Sequence, residues 1–299
     1  MGRWRALVPV AGLLALAACG TPSRAASPAP TPTRTSVGSV PPPTSGTTPA
    51  LPRWATPVTH APARRGSGRP GPLAGALVVL DPGHNGGNAA AASVISRLTD
   101  RGTAPPRACD TVGTETATRY PEHAFAWDLA TRLTARLVAA GARVVLTRSD
   151  DAAVGPCVPE RAHIANRAAL DAPPGTPVVA LSLHADGGPP AGVGFHVIEP
   201  LPVAGNEAIV EPSRRLGAAV RDAFGRGTGE PRSTYTGTDG ITRRNDLGGL
   251  NLSRVPKVFV ECGNMRNAQD ASRLADPAWR ERAAAALVQG LRRYLAASA

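Results

Sequence analysis

Three short apolar runs, each followed by a residue able to take part in catalysis, constrain the fold of this 299-residue chain more than any other feature. The runs are residues 78–80 before His84, residues 178–183 before His184, and residues 258–260 before Glu261. In an α/β sheet, side chains beyond the carboxyl ends of the strands converge on the crevice where ligands bind. Two histidines and a carboxylate in such positions predict a zinc site that serves hydrolysis.

From residue 77 onward, strand and helix patterns alternate, which predicts an α/β fold. Apolar residues recur every four positions from Phe125 to Leu137, between Pro121 at a helix start and Gly141 at its end. The predicted strands are residues 77–80, 143–147, 178–183, 194–198 and 257–260. The predicted helices are the one from residue 121 to Gly141 and those at residues 159–170, 206–224 and 276–295.

Residues 1–18 have the pattern of an export signal. Arg3 and Arg5 precede an apolar stretch that ends at Ala18, and this stretch is shorter than the roughly 20 residues of a membrane span. The sequence Leu-Ala-Ala-Cys at its end resembles a bacterial lipobox, which predicts a lipoprotein signal and lipidation of Cys19. The alternative is an ordinary secretory signal with an incidental cysteine.

Residues 19–76 are predicted to be a disordered linker. They contain 13 of the 31 prolines, many serines and threonines, and no acidic residue. Such a composition buries too little apolar surface to offset the entropy of ordering the chain. Residues 77–299 are then expected to form a single catalytic domain.

The net charge of +11 does not indicate a nucleic-acid partner. Eight of the 33 basic residues and none of the 22 acidic ones precede residue 77, so residues 77–299 carry 25 basic and 22 acidic side chains, a net charge of +3. The excess charge lies on the signal and linker, where it could favour an anionic membrane or wall surface. We expect a monomer that contacts a membrane only through an N-terminal lipid.

Apart from Cys19, the chain has three cysteines. Cys109 and Cys157 both lie in loops rich in proline and glycine, whereas Cys262 lies in an apolar strand. In an exported protein a pair of cysteines is expected to oxidise. We therefore predict the disulfide Cys109–Cys157 and a buried thiol at Cys262.

His84 and His184 are the first candidates for zinc ligands because both follow predicted strands. The third ligand is Glu122, in the first turn of a helix, or Glu115, in loop sequence; the pattern favours Glu122 without excluding Glu115. Glu261 is an acidic residue at the end of an apolar strand, where burial is costly without a partner or a function. Its place suits a general base that takes a proton from the attacking water.

Taken together, several ordered motifs resemble the zinc-dependent N-acetylmuramoyl-L-alanine amidases of the amidase_3 family, which cut bacterial peptidoglycan. The motifs are Val-Leu-Asp-Pro-Gly-His-Asn-Gly (79–86), Glu122, Glu160-Arg161 with Ala165-Asn166, Leu-Ser-Leu-His-Ala-Asp-Gly (181–187) and Val-Glu-Cys-Gly-Asn-Met (260–265). The likeness covers about residues 77–297 and is greatest to single-domain mycobacterial-type amidases, which also have a Cys-Asp-Thr-Val-Gly segment and a Gly-Pro-Cys-Val loop. Around Glu122 the chain has Tyr-Pro-Glu-His, where the family often has Gly-x-x-Glu-Lys.

The resemblance implies a mainly parallel six-stranded sheet between helices. It also implies zinc bound by His84, Glu122 and His184, with Glu261 as the catalytic acid/base, and it supports the bridge between Cys109 and Cys157. The expected reaction is hydrolysis, by zinc-activated water, of the amide between N-acetylmuramic acid and the L-alanine of the peptidoglycan stem peptide.

Two alternatives remain open from the sequence. One is a non-catalytic peptidoglycan-binding lipoprotein, and the other is a different zinc hydrolase of the cell wall, a peptidase or a deacetylase. In each case we expect an exported protein, on the outer face of the cell membrane as a lipoprotein, in the cell wall, or secreted.

Overall fold

A computed structural model describes residues 57–61 and 71–298. The predicted signal peptide, Cys19 and most of the predicted linker lie outside these residues. The strands are β1 (Val58–His60), β2 (Leu77–Pro82), β3 (Leu98–Thr99), β4 (Arg107–Ala108), β5 (Arg143–Leu146), β6 (Val178–Asp186), β7 (His196–Pro200), β8 (Ile241–Arg244) and β9 (Lys257–Asn264). The α-helices are α1 (Ala92–Ile95), α2 (Glu122–Ala139), α3 (Val158–Leu170), α4 (Glu207–Thr228), α5 (Gly248–Asn251), α6 (Ala268–Ala275) and α7 (Pro277–Ser298), and a 3₁₀ helix spans Gly86–Ala91.

Seven strands form the central sheet, in the order β1-β5-β2-β6-β9-β7-β8. Strands β5, β2, β6 and β9 are parallel, β7 is antiparallel to β9, and β8 is parallel to β7. The predicted α/β class and mainly parallel sheet are confirmed, but the sheet is mixed and has seven strands rather than six.

The predicted strand set was incomplete at both edges of the sheet. β1 lies within the segment expected to be linker and pairs antiparallel with β5, where an edge strand otherwise has unpaired backbone groups. β8 has the sequence Ile-Thr-Arg-Arg, which lacks the apolar run by which the central strands were recognised. At the C-terminus, the predicted helix at residues 276–295 is α7, and α6 precedes it.

The central strands are largely apolar because this part of the sheet lies between two layers. Val78 and Leu80 of β2 pack into the larger core with α2, α4 and α7, whereas Leu77 and Val79 pack into a smaller core with α3. Alternate side chains of one strand therefore enter different cores. None of the helices formed by the described residues combines the length and hydrophobicity needed to cross a membrane.

Near the carboxyl ends of β6 and β9, one face of the sheet is apolar and the other is polar, and the candidate site lies on the polar face. Along β6, Leu183 and Ala185 contribute to the larger core, so His184 between them faces the side of α3. Along β9, Val260 and Cys262 likewise belong to the larger core, which places Glu261 on the same side as His184. Polar residues thus occupy the face that the larger core does not use.

A disulfide joins Cys109 and Cys157, and both residues are fully buried. Cys109 directly follows β4, and Cys157 is the residue before α3. The backbone N–H of Val158 also donates to the carbonyl of Cys109, at 2.7 Å. Cys262 is a buried free thiol. The loop before α2 is therefore fastened to the start of α3.

We expect the double variant Cys109→Ser/Cys157→Ser to have a lower Tm than the wild type. The bridge spans 48 residues, and closing a loop of that size in the unfolded chain stabilises a protein by about 2–4 kcal/mol. Thermal unfolding with and without reductant measures the effect. The variant should not respond to reductant, and a wild-type Tm that is equally insensitive would contradict a structural role for the bridge.

Candidate metal centre

His84 follows β2 at the edge of the sheet where the parallel strands end. Its φ of 55° lies in the left-handed region, which is uncommon for a residue with a side chain and occurs most often at functional sites. Gly83 before it passes against the ring of His184: a Cβ at this position would lie 2.3 Å from Cε1 of that ring. Only glycine allows the two histidines to approach so closely.

Glu122 is the first residue of α2 and is only 5% exposed. One carboxylate oxygen, Oε1, lies 2.8 Å from Nδ1 of His184, and the other, Oε2, lies 3.3 Å from Nε2 of His84. The backbone N–H of Thr114 donates to Oε2 at 3.0 Å. A side chain at Gly113 would be 2.8 Å from both Oε2 and the ring of His84, so the loop before α2 is shaped to enclose this carboxylate.

His184 lies near the end of β6 and its ring stacks on Phe259, with centroids 5.1 Å apart and planes 14° apart. Its ring also meets that of His84 edge to face, at 5.2 Å. Phe259 on β9 and His84 in the turn after β2 therefore fix the orientation of the imidazole.

His84, Glu122 and His184 form the one group of three or more potential ligands that the described residues bring together, with one ligand atom from each within 4.8 Å of the others. Two imidazoles and a carboxylate are a donor set that catalytic zinc commonly takes. The glycines at 83 and 113 leave room for this approach, so the residues fit the ion. Glu115 lies elsewhere: it is 42% exposed at the side chain and forms an ion pair with Arg119.

Asp110 fixes the proton of His84. Nδ1 of His84 lies 3.1 Å from Oδ1 of Asp110 and 3.1 Å from the carbonyl oxygen of Thr111, and both oxygens accept. Nδ1 must then carry a hydrogen, which leaves Nε2, on the side of Glu122, as the nitrogen that can bind an ion once it has lost its own proton. A histidine that binds metal through one nitrogen usually donates its other N–H in this way.

The charges of the group reinforce one another. Burial alone would lower the pKa of His84, but the carboxylates of Glu122 and Asp110 outweigh it and raise that pKa to about 10. Burial alone would raise the pKa of Glu122, yet His84 and His184 hold it well below its usual range. In the absence of a metal, positive charge on the imidazole of His84 balances the buried carboxylate, a balance that a cation would supply instead.

The buried side chain of Arg161, on α3, connects several of the residues that shape this centre. Its guanidinium donates to Oδ1 of Asp81 at 3.1 Å and to Oδ2 of Asp110 at 3.0 Å. It also donates to the carbonyl oxygens of Pro82 at 2.6 Å and His84 at 2.9 Å. One buried side chain thus holds the end of β2, the turn of His84 and the partner of the His84 ring.

Asp81, on β2, belongs to the same hydrogen-bond network. Its Oδ2 accepts from Ser182 at 2.6 Å and from the fully buried Lys257 at 2.9 Å. Burial alone would raise the pKa of Asp81, but Lys257 and Arg161 hold it far below its usual range. Paired in this way, the buried charges avoid the large penalty of an isolated ion.

Glu261 lies beside the metal group. Its Cα pairs in register with that of His184 on the neighbouring parallel strand, so the two side chains leave the same face of the sheet. Oε2 of Glu261 is buried and has no hydrogen-bond partner among the described residues. Burial raises the pKa of Glu261 well above its usual value, and the charges of Glu122 and Asp186 add to the effect. A carboxyl group in this state is suited to accept and return a proton.

The other histidines near the site have partners of their own. His196 pairs in register with Glu261 on the neighbouring antiparallel strand β7. Its ring, however, contacts Asp186 at 3.5 Å and Thr242 at 3.1 Å. His123 is bound to Asp151 at 2.8 Å. Neither belongs to the group of potential ligands.

Asp110, Arg161 and Lys257 were not assigned to the site from the sequence. Lys257 gave a signal that could have been read, because a lysine within a buried apolar strand requires a partner. Asp110 and Arg161 lie in motifs of the family resemblance, Cys-Asp-Thr-Val-Gly and Glu160-Arg161, but the motifs alone did not give them a role. The role of Asp110 depends on a loop conformation without any periodic pattern.

The sequence model of the Amidase_3 family, described as N-acetylmuramoyl-L-alanine amidase, matches residues 78–293. N-acetylmuramoyl-L-alanine amidase Rv3717 of Mycobacterium tuberculosis is 42% identical over 230 residues, which cover 77% of this chain and 90% of that protein.

Two crystal structures have a similar fold. The amidase Ami1 of Mycobacterium smegmatis aligns with a TM-score of 0.68 and 41% identity, over 75% of this chain and 99% of that one. The apo form of Ami1 of Mycobacterium abscessus aligns with a TM-score of 0.68 and 42% identity, over 75% of this chain and 100% of that one.

We expect Asp110→Asn to bind zinc about 10- to 100-fold more weakly than the wild type, because loss of a hydrogen-bonding carboxylate behind a metal-binding histidine has effects of this size. Competition with a chromogenic chelator measures the affinity. Asp171→Asn, an exposed aspartate at the end of α3, is the control. Equal zinc affinity of the wild type and a folded Asp110→Asn protein would show that Asp110 does not act through His84.

Proposed function

Since the chain belongs to the Amidase_3 family of N-acetylmuramoyl-L-alanine amidases, we propose that it cleaves the peptidoglycan amide between N-acetylmuramic acid and L-alanine by zinc-dependent hydrolysis. The observation that carries the proposal is the meeting of His84, Glu122 and His184 beside the buried carboxyl group of Glu261. His84, Glu122 and His184 would hold the ion. When bound, zinc would polarise the scissile carbonyl and lower the pKa of the attacking water.

The protein's own residues supply the proton transfers. Glu261 takes a proton from the attacking water as the new C–O bond forms on the lactyl carbonyl carbon. The same carboxyl group then gives that proton to the nitrogen of L-alanine as the C–N bond breaks. The products are the free lactyl carboxylate on the muramic acid and a peptide that begins with L-alanine.

The fixed parts of the site reduce the reorganisation that this reaction requires. Asp110 keeps the hydrogen on Nδ1 of His84, and Phe259 holds the ring of His184 by stacking. Glu261 is held by its place on a central strand between β6 and β7. Groups fixed before the substrate arrives contribute more to catalysis than mobile ones.

We also propose that the protein acts outside the cytoplasmic membrane, where its substrate lies. The buried disulfide Cys109–Cys157 supports an oxidising compartment. Residues 1–18 would direct export, Cys19 would carry a lipid, and residues 19–76 would be the tether between the lipid and the catalytic domain.

The reaction itself is tested by incubating purified peptidoglycan with the zinc-loaded protein and determining the masses of the released fragments. An amidase leaves intact muramic acid residues and releases peptides that start with L-alanine. A peptidase would release fragments cut within the stem, a deacetylase would release acetate, and a wall-binding protein without activity would release nothing.

We expect Glu261→Gln to keep its zinc and to lose turnover by about 10²- to 10⁴-fold, the usual effect of removing a general acid or base. The amide group has nearly the same shape but cannot accept the proton. Zinc content by elemental analysis and peptide release from wall fragments are the two measurements. Glu211→Gln, at an exposed carboxylate of α4, is the matched control. A zinc-loaded Glu261→Gln enzyme with wild-type rates would remove Glu261 from the mechanism.

His84→Ala, Glu122→Ala and His184→Ala are each expected to lose bound zinc, because each removes one of three ligands. Glu115→Ala and His163→Ala, at side chains away from the centre, should retain it. Metal-to-protein ratios after gel filtration give the answer. Loss of zinc from Glu115→Ala together with retention in Glu122→Ala would show that Glu115, and not Glu122, is the third ligand.

A further inference from the structure

A cleft of about 710 Å³ opens beside the candidate metal centre. Gly113 and Thr114, which contact Glu122, form part of one wall, and Pro121 and His123 flank Glu122 itself. Pro190 and Arg266 also line the cleft. They lie in the loops that follow β6 and β9, the strands of His184 and Glu261. The cleft is therefore lined by neighbours of the residues proposed to carry out the reaction, not by those residues themselves.

The loops after β6 and β9 are tied to each other. Nδ2 of Asn264 donates to the carbonyl oxygens of Pro189 and Gly192, each at 2.8 Å. Nδ2 of Asn267 donates to the carbonyl oxygen of Pro190 at 2.8 Å. The backbone N–H of Arg266 donates to Oδ1 of Asn264 at 3.0 Å. The backbone of Arg266 is thus held in place before any substrate arrives.

Arg266 is the charged group of this cleft that lacks a partner. The guanidinium of Arg119 is paired with Glu115, and His123 is paired with Asp151. The side chain of Arg266 is exposed and has no ion pair or hydrogen bond with the part of the chain that the structure describes. The cleft therefore presents one positive charge that is free to bind an anion.

The rest of the lining is mixed in polarity. Ala89, Val112, Ala117 and Pro121 are apolar, and Val112 is 48% exposed, whereas Asn85, Thr114 and Thr116 are polar. Such a lining suits both the methyl groups and the backbone amides of a peptide. The free cation distinguishes the possible ligands, because a stem peptide carries carboxylates whereas a glycan of N-acetylated sugars is neutral.

We propose that this cleft binds the stem peptide, and that Arg266 binds the free α-carboxylate of the residue that follows L-alanine. The inference rests on the proposed amidase activity and deepens it, since it assigns the peptide rather than the neutral glycan to this side of the metal centre. Arg266 would then be a specificity-determining residue. It would favour stem peptides whose second residue is a glutamate over those in which that carboxylate is amidated.

The test uses two synthetic substrates, N-acetylmuramoyl-L-alanyl-γ-D-glutamyl-L-alanine amide and its analogue with a carboxamide in place of the α-carboxylate. We expect Arg266→Ala to lower kcat/KM about tenfold on the carboxylate substrate, chiefly through KM, because one charge-assisted contact in an open cleft is lost. The carboxamide substrate should be cleaved as well by the variant as by the wild type.

Two further variants serve as controls. Arg266→Lys keeps the charge and should retain a measurable preference for the carboxylate substrate. Arg292→Ala removes an exposed arginine of α7 and should change neither rate. Calorimetric binding of L-alanyl-γ-D-glutamyl-L-alanine amide should weaken in Arg266→Ala but not in Arg292→Ala, and this comparison does not depend on turnover.

An Arg266→Ala protein that acts on both substrates like the wild type, or that loses activity on both equally, would overturn the assignment of Arg266 and leave the amidase activity standing. A wild-type protein that cleaves neither substrate would instead contradict the proposed function, and the binding measurement would then decide on the cleft alone.

Discussion

The structure depends on one buried guanidinium. Arg161 binds the carboxylates of Asp81 and Asp110 and the carbonyl oxygens of Pro82 and His84, so a single side chain sets the end of a central strand and the direction of the first histidine. A planar group with five donors can serve all these acceptors at once, which a lysine could not do. The cost of burying the charge is offset because two of the groups that it contacts are carboxylates and the others are carbonyl oxygens that accept its hydrogen bonds. The candidate metal centre is built on an ion network rather than on the hydrophobic core.

The disulfide belongs to the same arrangement. Cys109 directly precedes Asp110, and Cys157 directly precedes α3, the helix that carries Arg161. The bridge therefore brings together the two halves of the ion pair between Asp110 and Arg161 and limits how far the loop can move away from the helix. The disulfide Cys109–Cys157 and the orientation of the His84 ring are thus linked through Asp110.

The central strands and two histidines could be predicted from the sequence, because long apolar runs and the residues after them follow directly from burial on both faces of a sheet. His84, His184 and Glu261 were identified in this way, and they meet at one edge. The choice between Glu115 and Glu122 could not be made from the pattern, since it depends on how a loop without periodicity folds over the edge. The structure places Glu122 against both histidines and Glu115 against an exposed arginine. The edge strands β1 and β8 were missed because short strands at an edge are stabilised by pairing rather than by their own composition.

The alternation of side chains along β6 and β9 has a further consequence for how this molecule matures. Leu183 and Ala185 point into the large core while His184 between them points to the opposite side. A shift of pairing by one residue would therefore place the imidazole in the hydrophobic core and both of its neighbours on the side of α3. No chain with slipped strands could retain a working centre. Binding of the ion would consequently indicate that β6 and β9 are paired in their native register.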